Sequence, residues 1–241
     1  KINGLKYKFV TTKTTTVMRS VSDTYEVTDV EIKEGKILSK SYTVDSGDPS
    51  QRFIIPNVNV DLSSVLVNIQ TSASNSTVAT YTDGNKIDVT TIKGSDQVYF
   101  VQEIEGQKYE ITFGDGAVGK QLSDGNIIYI EYLVTSGALA NKANVFVASA
   151  NVAGMNPSNY VLTTNTVANG GADIQSIDSL KYLSPKLYSA QKRACTKDDY
   201  KAILLEQRPD IESITTYGGE DADPVQYGKV FIAIKPTGNN V

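Results

Sequence analysis

Residues 114–120, Gly114-Asp115-Gly116-Ala117-Val118-Gly119-Lys120, spell the G-x-x-x-x-G-K pattern of a phosphate-binding loop. In such a loop glycine amides point at phosphate oxygens, a helix begins at once, and a Ser or Thr after the lysine holds Mg²⁺. Here the next residue is Gln121, and Asp124-Gly125-Asn126 signals a turn before a helix has room to form. The strand leading in, "KYEITF", alternates Tyr109, Ile111 and Phe113 with Glu110 and Thr112, whereas a strand feeding a nucleotide site is buried on both faces. The pattern therefore predicts a structural turn built on Phe113, Gly114, Asp115, Gly116, Gly119, Gly125 and Asn126, joining "KYEITF" and "NIIYIEYLV" as an antiparallel pair.

Other chemistry has few residues to work with. The chain has no histidine, which removes Ser-His-Asp triads, Cys-His pairs and every zinc site that uses imidazole. Its one cysteine, Cys195, lacks a base to activate it and reads as a small packed residue. Glu220, Asp221 and Asp223 offer hard oxygen ligands for Ca²⁺, but their spacing is not that of a calcium loop and a solvated turn is expected. Asp198-Asp199 falls at a helix start, where acids complement the helix dipole. No catalytic set, cofactor site or metal site is expected.

One segment is locally basic: Lys181, Lys186, Lys192, Arg193, Lys197 and Lys201 stand against Asp198 and Asp199. It reads either as a solvated helix face with i,i+4 pairs or as contact with an acidic neighbour in an assembly. Tyr182, Tyr188 and Tyr200 lie among these charges, and tyrosine joins a large apolar area to a polar tip. Tyr182, Lys186, Tyr188, Lys192 and Arg193 are the candidate interface residues.

The elements that must position these residues are mostly strands. "LKYKFV", "TYEVTDVEI", "SVLVNIQ" and "QVYFVQEIE" alternate apolar and polar residues, with turn signals at Glu34-Gly35, Ser46-Gly47-Asp48-Pro49, Asp83-Gly84-Asn85, Lys93-Gly94-Ser95 and Glu105-Gly106. Val98 and Phe100 share one face of "QVYFVQEIE". Residues 1–150 are expected to form an antiparallel β sandwich or barrel-like domain. A polar connection follows over 151–171, with Gly170-Gly171 marking its end. From 172 to 241 the period changes to that of an α+β unit. Ser176 can cap a helix that runs until Pro185 interrupts it. Thr196 and Asp199 form a capping-box variant for a second helix, with Tyr200, Ile203, Leu204 and Gln207 as its stripe and Pro209 as its stop. "IESITTY", Gly218-Gly219 and "GKVFIAIKP" give two strands for that helix to cover. The fold class is thus α+β, mainly β.

Net charge is −4, which gives no electrostatic reason to expect nucleic acid or an anionic membrane as partner. No apolar stretch approaches the length needed to span a bilayer. "KINGLKYKFV" lacks an initiator methionine and a signal core, and "VFIAIKPTGNNV" stops soon after a strong strand, so the chain reads as a piece of a longer one.

Taken together, "YEITFGDGAVGKQLSDGNIIYIEYLVTSGALAN" resembles the wedge-forming baseplate subunits of T-even-type contractile phages, within the broader baseplate-J-like family. The likeness lies in the F-G-D-G of Phe113 to Gly116, the glycine loop, the strand Ile128 to Tyr132, and Thr135 to Gly137 with Ala140-Asn141. Ile55-Pro56-Asn57 with Val60-Asp61, the basic helical stretch and the "YGGEDADPVQYGKVFIAIKP" return extend it from about residue 53 to 236. The resemblance implies a structural subunit of the virion tail baseplate, a late protein assembled in the host cytoplasm. It would associate with itself, as a homodimer or ring, and with other wedge proteins. A β-sandwich module recognising a glycan or host surface is the alternative.

Overall fold

The computed structural model describes residues 5–16, 25–149, 151, 154–208 and 211–236. It divides into two compact units, the first ending at Ser136 and the second beginning at Gly137.

The first unit opens with two short strands, β1 (Phe9–Thr11) and β2 (Ile32–Glu34), paired antiparallel. The alternation expected over 24–32 yields no strand between residues 26 and 31. Seven strands then form one sheet: β3 (Lys36–Thr43), β4 (Phe53–Ile55), β5 (Val60–Gln70), β6 (Val78–Asp83), β7 (Val98–Ile104), β8 (Lys108–Phe113) and β9 (Ile127–Val134). Their spatial order is β3-β9-β5-β6-β7-β8-β4. Neighbours run antiparallel except β6 and β7, which are parallel.

The two edge strands, β3 and β4, approach each other. The Tyr42 hydroxyl donates to the Ile54 carbonyl, and the Tyr42 and Phe53 rings meet edge-to-face at 5.6 Å. Phe53 contacts Phe113 at 5.8 Å, and Phe113 contacts Tyr81 at 5.7 Å. The result is a nearly closed barrel, the barrel-like form of the expected β domain. Curling a sheet this way shields edges that would otherwise invite pairing with other chains.

Alternation explains the core. Ile55, Val67, Ile111, Ile128 and Ile130 have no exposed surface, and Ile69, Tyr81, Tyr99 and Tyr132 pack with them. Burial of each such side chain contributes about 1.5–3 kcal/mol. The buried tyrosines keep their polar tips satisfied: Tyr99 donates to the Val65 carbonyl at 3.2 Å and Tyr132 to the Asn57 side chain at 2.6 Å. Burial, with some help from the Asp83 charge, pushes the Tyr99 phenol up to about 12.

One expectation of this unit needs correction. Strands 108–113 and 127–134 do not pair: β8 lies between β7 and β4, whereas β9 lies between β3 and β5. The connection carries the chain across the barrel because its end is tied to other strands' loops. The Asn126 side chain donates to Thr71, and the Asn126 carbonyl accepts from Val44. In β7 the barrel-facing residues are Tyr99 and Val101. Val98 and Phe100 face outward and are covered by loops, at Gly119 and Gly84 respectively, where an added Cβ would stand 2.6 Å from each side chain.

The second unit holds two helices, α1 (Ile177–Ala190) and α2 (Lys197–Gln207), and an antiparallel strand pair, β10 (Ile211–Gly218) and β11 (Val230–Pro236). Ser176 caps α1 through the Ser179 amide, but the helix runs through Pro185 and ends at Gln191, which takes a left-handed φ of 47°. Proline removes one donor. Packing of Leu183 and Ala190, both buried, holds the remaining turns in register. Thr196 and Asp199 form the expected reciprocal capping box on α2. Its most buried residue is Ala202, with Tyr200, Ile203 and Leu204 partly buried and Gln207 exposed, so the packed stripe is offset from the one expected. Pro209 lies outside the described residues.

Candidate assembly surface

The lysine loop is already full. The Gly116 amide donates to the Gly119 carbonyl (3.0 Å), Gly119 to Lys93 (3.1 Å) and Lys120 to Asp96 (2.7 Å). The Ala117 and Val118 amides both donate to the Asp115 carboxylate, at 2.9 and 3.0 Å. Every amide from 116 to 120 that a phosphate would use is therefore spent inside the protein, and Asp115 supplies the anion. The Val118 and Ala117 donors hold its carboxyl below the usual aspartate range. After Lys120 the chain runs without a helix to β9, and Lys120 itself is exposed.

The glycines here serve two different needs. Gly116 and Gly119 have φ of 92° and 82°, a region that L side chains avoid. Gly114 is instead a point of contact, since a Cβ there would lie 2.1 Å from the Gly119 carbonyl carbon. Gly94 plays the same part opposite, 1.9 Å from the Gly116 oxygen. At the far end Gly125, φ 75°, donates to Val44, and the Asn126 side chain accepts from Ser123. Phe113, through its aromatic contacts, anchors this whole connection in the barrel.

The basic segment is distributed along α1, the turn after it and α2. Tyr182 and Lys186 come together, with the ammonium donating to the hydroxyl at 2.7 Å and lying 3.9 Å from the ring centroid. That hydrogen bond raises the Lys186 pKa. Arg193 donates to Gln191 at 2.8 Å, and Lys192 occupies a left-handed conformation at φ 59°. Tyr188 stands apart from these pairs and is 85% exposed. Lys197 leaves the group for the acidic loop, pairing with Asp221 at 2.7 Å. Among the described residues no cluster of three or more His, Cys, Asp or Glu side chains is placed to hold a metal ion. Cys195, expected to be packed, is exposed just ahead of the α2 cap, its backbone amide donating to Asp199 at 3.2 Å.

Between α1, α2 and β10 lies a cleft of about 240 Å³, with Leu183, Ala202, Leu205 and Ile214 as its apolar lining and Lys186 and Lys201 at its basic positions. Its volume falls below the range of roughly 300–1,000 Å³ usual for small-molecule sites. The sheet face that contains Ile214 also contains Ile234, Ile232 and Val230 of β11, set opposite Ile214, Thr216 and Gly218. The Thr216 hydroxyl donates to the Lys197 carbonyl, which fixes this as the face toward α2. Ile214 is buried there, whereas the three β11 residues remain exposed. Sequence reasoning missed this half-covered face. Its signal was the period-two pattern of "VFIAI" with no helix left over to cover it.

The last segment also matches a known family. Residues 196–241, which include α2, β10 and β11, match the family described as "Baseplate structural protein gp6, C-terminal domain I". Across 95% of its length the chain is 23% identical to the baseplate wedge protein gp6 of Enterobacteria phage T4. This chain is similar to a baseplate wedge protein. It spans 36% of the length of that wedge protein. The similarity runs through both compact units, well beyond the C-terminal family segment. Among the described residues no helix is long and apolar enough to cross a membrane.

Proposed function

We propose that this chain is a structural part of the tail baseplate wedge of a contractile phage, residing in the virion and working by packing rather than catalysis. In this reading it associates with itself, as a dimer or ring, and with other wedge proteins. The α+β region from residue 172 onward supplies the contact surface. The observation that carries the reading is the similarity to a baseplate wedge protein over 95% of the chain. The surface chemistry supports it: Tyr182 and Tyr188 are exposed on α1 and Arg193 follows in the turn after it, residue types that interface hot spots favour. The filled lysine loop supports a role without nucleotide.

Analytical ultracentrifugation over a wide concentration range tests the self-association. The reading predicts a defined dimer or larger species that weakens in Tyr188→Ala and Tyr182→Ala. A monomer at every concentration, which also fails to bind the other wedge proteins on mixing, contradicts it.

A further inference from the structure

The chain contains several Asx-Gly pairs, in which the absence of a side chain on the second residue lets its amide nitrogen reach the Asx γ-carbon. Most of those described are guarded. At Asp115-Gly116 the carboxylate holds two amides and the glycine amide is donated to Gly119. At Asp124-Gly125 the carboxylate accepts from Ser46 at 2.9 Å and the glycine amide donates to Val44 at 2.9 Å. The Asp83 carboxylate accepts from the Asn85 amide and pairs with Lys86 at 3.0 Å.

Asn169-Gly170 is different. Both residues are exposed, Gly170 has φ 81°, and its amide has no acceptor among the described residues. The Asn169 side chain makes one bond, donating to the Val167 carbonyl at 3.1 Å. Asparagine is also the better electrophile of the two Asx residues at neutral pH, because its side chain carries no negative charge to repel a nucleophile.

The pair sits at the tip of a loop pinned on both sides. Lys142 donates to the Ala168 carbonyl at 2.7 Å, and Ala168 donates to Ala143 at 2.8 Å. On the other side the Asn141 side chain clasps Gly171, donating to its carbonyl at 2.7 Å and accepting from its amide at 3.0 Å. Gly171 also packs closely against the Gly137 backbone, where an added Cβ would stand 2.4 Å from the Gly137 oxygen.

We propose that Asn169 is a site of spontaneous deamidation and isoaspartate formation, and that its conversion opens the Asn141–Gly171 clasp. The Gly170 nitrogen attacks the Asn169 γ-carbon and loses its proton to solvent. The side-chain nitrogen leaves as ammonia, which closes a succinimide. Water then adds to either imide carbonyl and reopens the ring to aspartate or isoaspartate, with no oxidant required. The isoaspartate product inserts one methylene into the main chain between two fixed points. The strain falls on the clasp, the weaker of the two anchors because it rests on a single side chain.

The test is prolonged incubation of the protein in mildly alkaline buffer, with peptide mapping by mass spectrometry and isoaspartyl methyltransferase labelling. Hydrogen exchange is then measured at Lys142 and Gly171. Asn169 is expected to convert before Asn126 and Asn141, with faster exchange at Gly171 in the converted fraction. Asn169→Gln, which leaves Gly170 unchanged, is expected to lose the labelled peptide entirely. Conversion of Asn126 or Asn141 while Asn169 remains an amide overturns the site assignment. Complete conversion with unchanged exchange at Gly171 overturns the opening of the clasp.

Discussion

In the barrel, Ile55, Ile111, Ile128 and Ile130 have no exposed surface, whereas in the second unit Val161, Tyr188 and Tyr227 are 90%, 85% and 84% exposed. The contrast extends to the backbone. The barrel's 114–126 connection spends the amides of residues 116–120 on internal acceptors, and its edge strands approach through Tyr42. In the second unit β11 pairs only with β10 among the described residues, and Val230, Ile232 and Ile234 stay exposed on the face whose other half α2 covers. A sheet of two strands is marginal by itself. The barrel thus encloses its core within one chain, whereas the second unit leaves an apolar strand face exposed.

The largest expected effect is in the barrel. Ile111→Ala empties a site with no exposed surface and should cost about 2–5 kcal/mol in urea unfolding. A loss below 1 kcal/mol would mean that the core is not packed as described. Gly114→Ala forces a Cβ against the Gly119 carbonyl carbon and should cost about 1–3 kcal/mol, measured in the same way. Lys120→Ala, six residues on, should change neither stability nor nucleotide binding.

In the second unit Thr196→Ala removes the α2 cap and should cost about 1 kcal/mol. The acid limb offers a smaller effect. Amides of Val118 and Ala117 depress the Asp115 pKa, and the bonds at Thr196 depress that of Asp199. A depressed carboxylate stabilises the fold fully above its unfolded-state pKa, and that contribution is lost as pH falls through the folded value. Stability should therefore drop on acidification into that window. Asp115→Asn, which keeps an acceptor for the two amides, should flatten the drop. The smallest effect is expected at Ile232→Ser: within about 0.5 kcal/mol in the isolated chain, with weakened association. Equal losses at Ile232 and Ile111 would erase the distinction between the two units.

Much of the barrel was legible because alternation at Tyr109, Ile111 and Phe113 and at Ile128, Ile130 and Tyr132 identifies inward faces directly. Which strands pair was not legible. Pairing of β9 with β3 and β5 depends on Asn126 reaching Val44 and Thr71, contacts far apart in sequence. The caps Ser176 and Thr196 act over three residues and could be read, whereas the passage of α1 through Pro185 rests on tertiary packing. Of the candidate interface, sequence showed the composition. Only the fold shows that Tyr182 and Lys186 pair while Tyr188 stands alone, and that β11 is half covered.

Hydrogen exchange on the chain alone and within assembled baseplates tests the central claim most directly. The account predicts unchanged protection across β5, β8 and β9 and slower exchange at α1 and β11 on assembly. Slower exchange confined to the barrel, with α1 and β11 unaffected, would contradict it.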